Sequence, residues 1–346
     1  MVFMQKILKL CTVILMICIN ISYAQDNTDY NVTKKNAEIL CNKNDGMGCT
    51  ALGILYDNGY GVKQDDVQAK TYYEKSCGLN DGVGCTALGI LYANGKGVKQ
   101  DYIQAKKYTE KACGLDDGLG CHNLGLLYYN GQGVKQDYFQ AKTYFEKSCD
   151  LNIGEGCYNL GVLYHKGQGV KQDYIQAKKY FEKSCDLNDG KACSFVGLLY
   201  ITGRGIKQDY IQAKKYYEKS CSLNVGRGCI ALGIFYANGQ SVKQDYVQAK
   251  TYYEKACGLD DGRGCFNLGA LYDNGYGVKQ DYFQAKEYYE KSCSLNVGEG
   301  CYNLGGSYAK GQGVKQDFAT AKKYFGKACD LKLQMGCDNY AKLNRN

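Results

Sequence analysis

Between Gly120 and Tyr128 the small and apolar residues Cys121, Leu124, Gly125 and Tyr128 fall at i, i+3, i+4 and i+7, one face of a helix. Asn130-Gly131-Gln132-Gly133 stops that helix with residues that accept positive φ. A second helix opens at Asp137-Tyr138-Phe139-Gln140, where an aspartate N-cap is followed three residues later by glutamine, the arrangement of a capping box. Its buried stripe reads Tyr138, Ala141, Tyr144, Phe145, Ser148 and Cys149, with Lys135, Gln136, Lys142 and Lys147 outside it. The pattern predicts a helical hairpin whose tyrosines and phenylalanines are mostly core. Gly125 costs about 1 kcal/mol against alanine in mid-helix. Its return as Gly53, Gly89, Gly161, Gly197, Gly233, Gly269 and Gly305 predicts a close helix approach with no room for a side chain.

The hairpin returns every 36 residues, a period that marks a solenoid in which each unit packs on its neighbours. The expected fold is all-α, a solenoid of 36-residue α/α hairpins, with eight full hairpins over about 45–329. Residues 29–41 form a half-hairpin with only a second helix, and residues 334–342 one with only a first. Lys342, Asn344, Arg345 and Asn346 make the last of these polar, as the end of a stack must be for solubility. The chain contains no proline and no low-complexity linker, so residues 25–346 are expected to be a single array.

A cysteine pair recurs with the same period. On one straight helix its members would lie about 12 Å apart. A disulfide needs less than about 7 Å, and the Gly/Asn/Asp cluster between the two cysteines supplies the turn. The expected bridges are Cys41–Cys49, Cys77–Cys85, Cys113–Cys121, Cys149–Cys157, Cys185–Cys193, Cys221–Cys229, Cys257–Cys265, Cys293–Cys301 and Cys329–Cys337. Each would join the end of one hairpin's second helix to the start of the next hairpin's first, and by the chain-entropy model contribute at most about 2.5 kcal/mol. Structural zinc prefers cysteines two to four residues apart and four ligands per site. Here the pairs are isolated and His122 and His165 are the only histidines, both expected at the surface, so no metal and no cofactor is expected.

The first residues change the setting. Lys6 and Lys9, the apolar run from Leu10 to Ile21, and Ser22-Tyr23-Ala24 give residues 1–24 the form of a secretory signal. The apolar run is too short to span a bilayer. Its removal leaves 18 of the 20 cysteines, all in pairs, the disulfide framework of an exported protein. The expected location is outside the cell or in the periplasm. The formal charge of +8 falls to +6 without Lys6 and Lys9, and the charges are mixed. No concentrated basic stripe for nucleic acid and no other membrane-length run is present.

The pattern L-G-x-L-Y-x-N-G-x-G-V-K-Q-D-Y-x-Q-A-K-x-Y-x-E-K-x-C resembles the Sel-one-like repeats, relatives of the tetratricopeptide repeat. With a cysteine pair in each period, residues from Asp29 to about Lys342 resemble the Helicobacter cysteine-rich proteins. The resemblance implies a right-handed superhelix, export, host interaction, and penicillin binding with weak β-lactamase activity.

In tetratricopeptide-type solenoids the first helices line the concave face, and the residue before the leucine is where that class places an asparagine bonding a peptide backbone. Here that position holds Asn123, Asn159, Asn267 and Asn303, with Asn339 in the half-unit, while Ala51, Ala87, Phe195 and Ala231 depart from it. An amide both donates and accepts, so it can bond a peptide unit twice. The alternative is a solvated helix residue of no function. The residues just ahead vary as His122, Tyr158, Phe266 and Tyr302, and Glu155, Lys191, Arg227, Arg263 and Glu299 vary two before the second cysteines. The expected partner is an extended peptide or protein segment, including a host protein. The alternative, carried by resemblance alone, is a penicillin-binding protein with weak β-lactamase activity that takes a β-lactam or a peptidoglycan peptide. Its S-x-x-K signature occurs once, at Ser307-Tyr308-Ala309-Lys310, about as often as chance predicts from 11 serines and 39 lysines. S-D-N, K-T-G and H-E-x-x-H are absent.

Overall fold

Aspartate caps at most helix starts, and glycine stops after the first helix of each hairpin, cut residues 27–345, the part described by the computed structural model, into short helices. The expected signal segment lies outside the described residues. Among these residues there are eighteen helices and no strand. A lone helix, α1 (Asn27–Asn42), precedes eight hairpins: α2 (Gly46–Asn58) with α3 (Asp66–Gly78), α4 (Gly82–Asn94) with α5 (Tyr102–Gly114), α6 (Gly118–Asn130) with α7 (Tyr138–Asp150), and α8 (Gly154–Lys166) with α9 (Tyr174–Asp186). There follow α10 (Gly190–Thr202) with α11 (Tyr210–Ser222), α12 (Gly226–Asn238) with α13 (Tyr246–Gly258), α14 (Gly262–Asn274) with α15 (Tyr282–Ser294), and α16 (Gly298–Lys310) with α17 (Phe318–Asp330). The lone helix α18 (Gln334–Arg345) ends the chain. Residues 27–163 with 168–170 form one compact unit, and residues 164–167 with 171–345 a second. Each is a helical solenoid of stacked hairpins.

In the first unit, α6 and α7 show how the pattern becomes structure. Asp117 caps α6 by accepting from the Gly120 N–H at 2.7 Å, and Gly131 ends the helix at φ 70°, a conformation that glycine adopts without strain. Asp137 caps α7 by accepting from the Phe139 and Gln140 N–H groups at 2.9 and 3.0 Å. The other half of the expected capping box is not used. The Asp137 N–H instead donates to the Tyr128 carbonyl at 2.9 Å, which ties the start of α7 to the last turn of α6. Gly125 meets the side chain of Phe145, and a β-carbon there would lie 2.6 Å from the ring. Leu124, Leu127, Ala141 and Phe145 are buried, while Tyr128 and Tyr144 are half-buried and stack at 5.5 Å. The Ser148 hydroxyl, also buried, donates to the Gly118 carbonyl at 2.8 Å and so carries no unmet polar group into the core.

Contacts between repeats are equally regular. Cys149 and Cys157 are bridged with their Cα atoms 4.5 Å apart, because Asn152 takes φ 60° and reverses the chain between them. All nine expected pairs are bridged, with Cα separations of 4.5 to 4.8 Å. Lys147 crosses to the preceding hairpin and donates to the Cys113 carbonyl at 2.8 Å, a second donor for an end-of-helix acceptor that the Asp116 N–H also reaches at 3.2 Å.

The second unit repeats the scheme. Tyr272 and Tyr288 stack at 5.6 Å, Ser292 donates to the Gly262 carbonyl at 2.8 Å, and Lys291 donates to the Cys257 carbonyl at 2.9 Å. The N-termini of α12 and α16 carry Val225 and Val297 where α2, α4, α6, α10 and α14 have aspartate, and neither has a side-chain cap.

Candidate functional site

Within each unit the first helices of successive hairpins touch one another directly, α4 on α6 in the first and α12 on α14 in the second. This contact sets the surroundings of the asparagines that precede each leucine. All five are half-buried. In the first unit the Asn159 amide nitrogen lies 2.8 Å from His122 Nε2. In the second the Asn339 amide donates to the Tyr302 hydroxyl at 3.3 Å. Both partners sit 37 residues earlier, so each asparagine reaches back to the residue just ahead of the corresponding site in the preceding repeat. Asn303 faces the Tyr289 phenol, whose pKa is pushed up by burial and by Asp273. An amide offers two N–H groups and a carbonyl, so one internal bond orients it and leaves the rest for a ligand. Asn267 is half-buried on α14.

Asn123 and Asn303 each open on a cavity. The first, of about 310 Å³, lies in the first unit over Gly89, Ala105, Thr109 and Leu127, with Asn94 and Gln132 at its rim. The second, of about 320 Å³, lies in the second unit and is lined by Gly306, Ser307, Lys310 and Asn339 among others. Both arise where a bulky residue of the repeat is missing. Thr109 stands where the other full hairpins carry Tyr73, Phe145, Phe181, Tyr217, Tyr253, Tyr289 and Phe325. Gly306-Ser307 stands where α6 has Leu126-Leu127. These departures are visible in the sequence, but only the contact between ring and glycine shows that they make space.

The histidines correct the expectation of surface residues. His122 is half-buried against the Phe145 ring, with centroids 5.8 Å apart, and burial pushes its pKa down with Glu155 opposing. His165 packs edge-on to Tyr174 at 5.2 Å and beside Phe195 at 6.4 Å. Burial first, then Arg204 and Lys166, lower its pKa. The reason is positional: residue 165 occupies the slot that Tyr129 fills against Tyr138 one repeat earlier. Since both folded pKa values lie below the usual 6.5, the unfolded chain binds more protons just below that pH. Stability is therefore expected to fall as pH drops through about 6.5, until the folded histidines also titrate. Replacing His122 by phenylalanine, the residue at Phe266, should flatten the acid slope of the melting temperature between pH 7.5 and 5. An unaltered slope in that variant would remove His122 from the account.

The Ser307 hydroxyl donates to the Asn303 carbonyl one turn back at 3.1 Å, and Lys310 is exposed at the end of α16. Among the described residues no hydrogen bond joins the two, so the S-x-x-K match has no activated serine behind it. Among the same residues no group of three or more His, Cys, Asp or Glu could hold a metal ion, and no helix is long and apolar enough to cross a membrane.

Stacked hairpins, a cystine between each and the next, and a ladder of side chains on the first helices define a cysteine-rich helical-repeat protein. The chain belongs to the Sel1 repeat family, whose repeat matches residues 46–81, 82–117, 118–153, 154–189, 190–225, 226–261, 262–297 and 298–333. Among solved structures, the chain is similar to a Sel1 repeat protein from Oxalobacter formigenes, at 22% identity over 89% of this chain and 90% of that one, TM-score 0.71. It is also similar to c5321, a protective antigen present in uropathogenic Escherichia coli strains, at 23% identity over 89% and 74% of the two chains, TM-score 0.54. These two likenesses show the fold. Helicobacter pylori cysteine rich protein B is 39% identical over 39% of this chain and 97% of its own, TM-score 0.32. No curated protein sequence matches the chain. Sel1 and tetratricopeptide-type repeats generally mediate protein–protein interaction.

Proposed function

We propose that this is an exported protein whose first-helix face holds an extended segment of a peptide or protein partner. The observation that carries the reading is the set of amides on adjacent first helices within each unit, Asn123 and Asn159 in the first and Asn267, Asn303 and Asn339 in the second, oriented by the preceding repeat at Asn159 and Asn339 and open to a cavity at Asn123 and Asn303. A peptide backbone presents a donor and an acceptor at each residue, and an amide held at one N–H can answer both. Nine disulfides support export, since such bonds persist outside the reducing cytosol. The amino-terminal signal reading supports it independently.

The test uses peptides selected by phage display against the oxidised protein and measured by calorimetry. Each amide–peptide bond contributes a net of about 0.5–1.5 kcal/mol. Asn267→Ala combined with Asn303→Ala is therefore expected to weaken binding roughly ten- to a hundredfold with the melting temperature kept. Equal affinity of the double variant and the parent would sink the peptide reading.

A further inference from the structure

We propose that the cavity at Thr109 is a subsite for one aromatic side chain of the bound segment, the phenyl ring of a phenylalanine. The inference rests on the peptide reading for its partner, but its geometry is independent of the asparagines. In other hairpins a ring from the second helix lies on the glycine of the first: Phe145 at 2.6 Å from a β-carbon on Gly125, Tyr289 at 2.8 Å from one on Gly269. In the hairpin of α4 and α5 the glycine is kept as Gly89 and the ring is gone. The one side chain among the nearest atoms is the Thr109 methyl group, 2.7 Å from the same position on Gly89, with the Ala105 carbonyl oxygen at 3.3 Å.

The Thr109 hydroxyl is turned into its own helix, donating to the Ala105 carbonyl at 2.9 Å. Its methyl group is thus left to form the floor with Gly89, Ala105 and Leu127, while Ile90 and Leu126 stand at the walls. Ile90 is 40% exposed, an apolar side chain with an unfilled space beside it. The volume is about 310 Å³, and an apolar cavity of about 150 Å³ already holds a benzene ring.

No charged side chain lines the space, so a lysine or carboxylate of the partner would lose its hydration without a counter-charge. Asn94, Asn123, Asn130 and Gln132 rim it, and Gln132 is itself held by a bond to the Tyr102 hydroxyl at 2.9 Å. An aromatic side chain entering between these amides leaves its own peptide groups beside them. Where the resident ring is a tyrosine, as in Tyr73 and Tyr289, its hydroxyl reaches Asp57 or Asp273. The equivalent residue here is Ala93, which, like Ala237 packed with Tyr253, offers no carboxylate, so the space takes an aromatic ring without requiring a hydroxyl on it.

The experiment follows the methyl resonances of Ile90, Leu126 and Leu127 in the oxidised full-length protein as toluene, N-acetyl-phenylalaninamide or N-acetyl-alaninamide is added. Toluene and the phenylalanine derivative are expected to shift these methyls and the alanine derivative is not. Thr109→Phe restores the ring present in the other hairpins. It should abolish the shifts, raise the melting temperature, and weaken phenylalanine-containing selected peptides about ten- to a hundredfold. Thr109→Leu fills the same space with a smaller group and serves if the larger one disturbs folding. The proposal is overturned by the absence of a toluene shift in the parent, or by equal shifts in both filled variants. Shifts with toluene that persist when Asn123→Ala leaves peptide affinity unchanged would retain the subsite and remove the amide reading. Peptides that bind the parent and Thr109→Phe equally would do the reverse.

Discussion

Refolding in excess dithiothreitol is expected to yield a chain without stable helical structure in native buffer. Each bridge closes a nine-residue loop and contributes up to about 2.5 kcal/mol. All nine together amount to about 20 kcal/mol, more than the roughly 5–15 kcal/mol by which natural domains are stable. The folded state also shields its cystines. Cys121, Cys157 and Cys265 are fully buried, whereas Cys329 and Cys337 are half-buried at the end of the stack. Reduction without denaturant should therefore be slow and begin at Cys329–Cys337. Circular dichroism at 222 nm, together with mass mapping of labelled thiols, reads both. A reduced chain that regains its helix signal and melting temperature would show the staples to be dispensable.

Phe145→Ala is expected to cost about 3–5 kcal/mol. The ring is fully buried, lies on Gly125, and touches His122 and Tyr129. The loss should stay local, because each repeat contacts only its neighbours. Hydrogen exchange of the α6 and α7 amides should accelerate far more than that of α2 or α3. Gly125→Ala drives a methyl group into the same ring, an overpacking cost of about 1–3 kcal/mol that a helix-propensity gain of about 1 kcal/mol partly offsets. Once the ring is gone that clash disappears, so the double variant should be more stable than the two single losses added. Strict additivity would mean that the glycine is kept for some reason other than the ring.

Much of this architecture is legible along the chain. The spacing of Cys121, Leu124, Gly125 and Tyr128, the aspartates ahead of each second helix, and the Asn- or Asp-containing turn inside eight of the nine cysteine pairs act over eight residues or fewer. Nine repetitions turn a weak local signal into a strong one. The aromatic stripe was equally readable, although Tyr128 and Tyr144 are half-buried partners in a stack and not deep core. The glutamine of the capping box misled because the Asp137 N–H has a competing acceptor, the Tyr128 carbonyl, that only the folded hairpin presents. The histidines misled for a similar reason: their polarity suggested water, but their positions belong to rings.

What the sequence determined by itself is the helical hairpin, its period and its cysteine pairs, because short-range periodicity and turn chemistry are local. Which amide is oriented by a neighbour, which histidine is desolvated, and where a missing side chain leaves room were decided by tertiary structure. Those properties depend on contacts between residues 16 to 37 apart, as in Tyr289 with Asp273 and Asn159 with His122, and arise only when one helix or repeat is laid against the next.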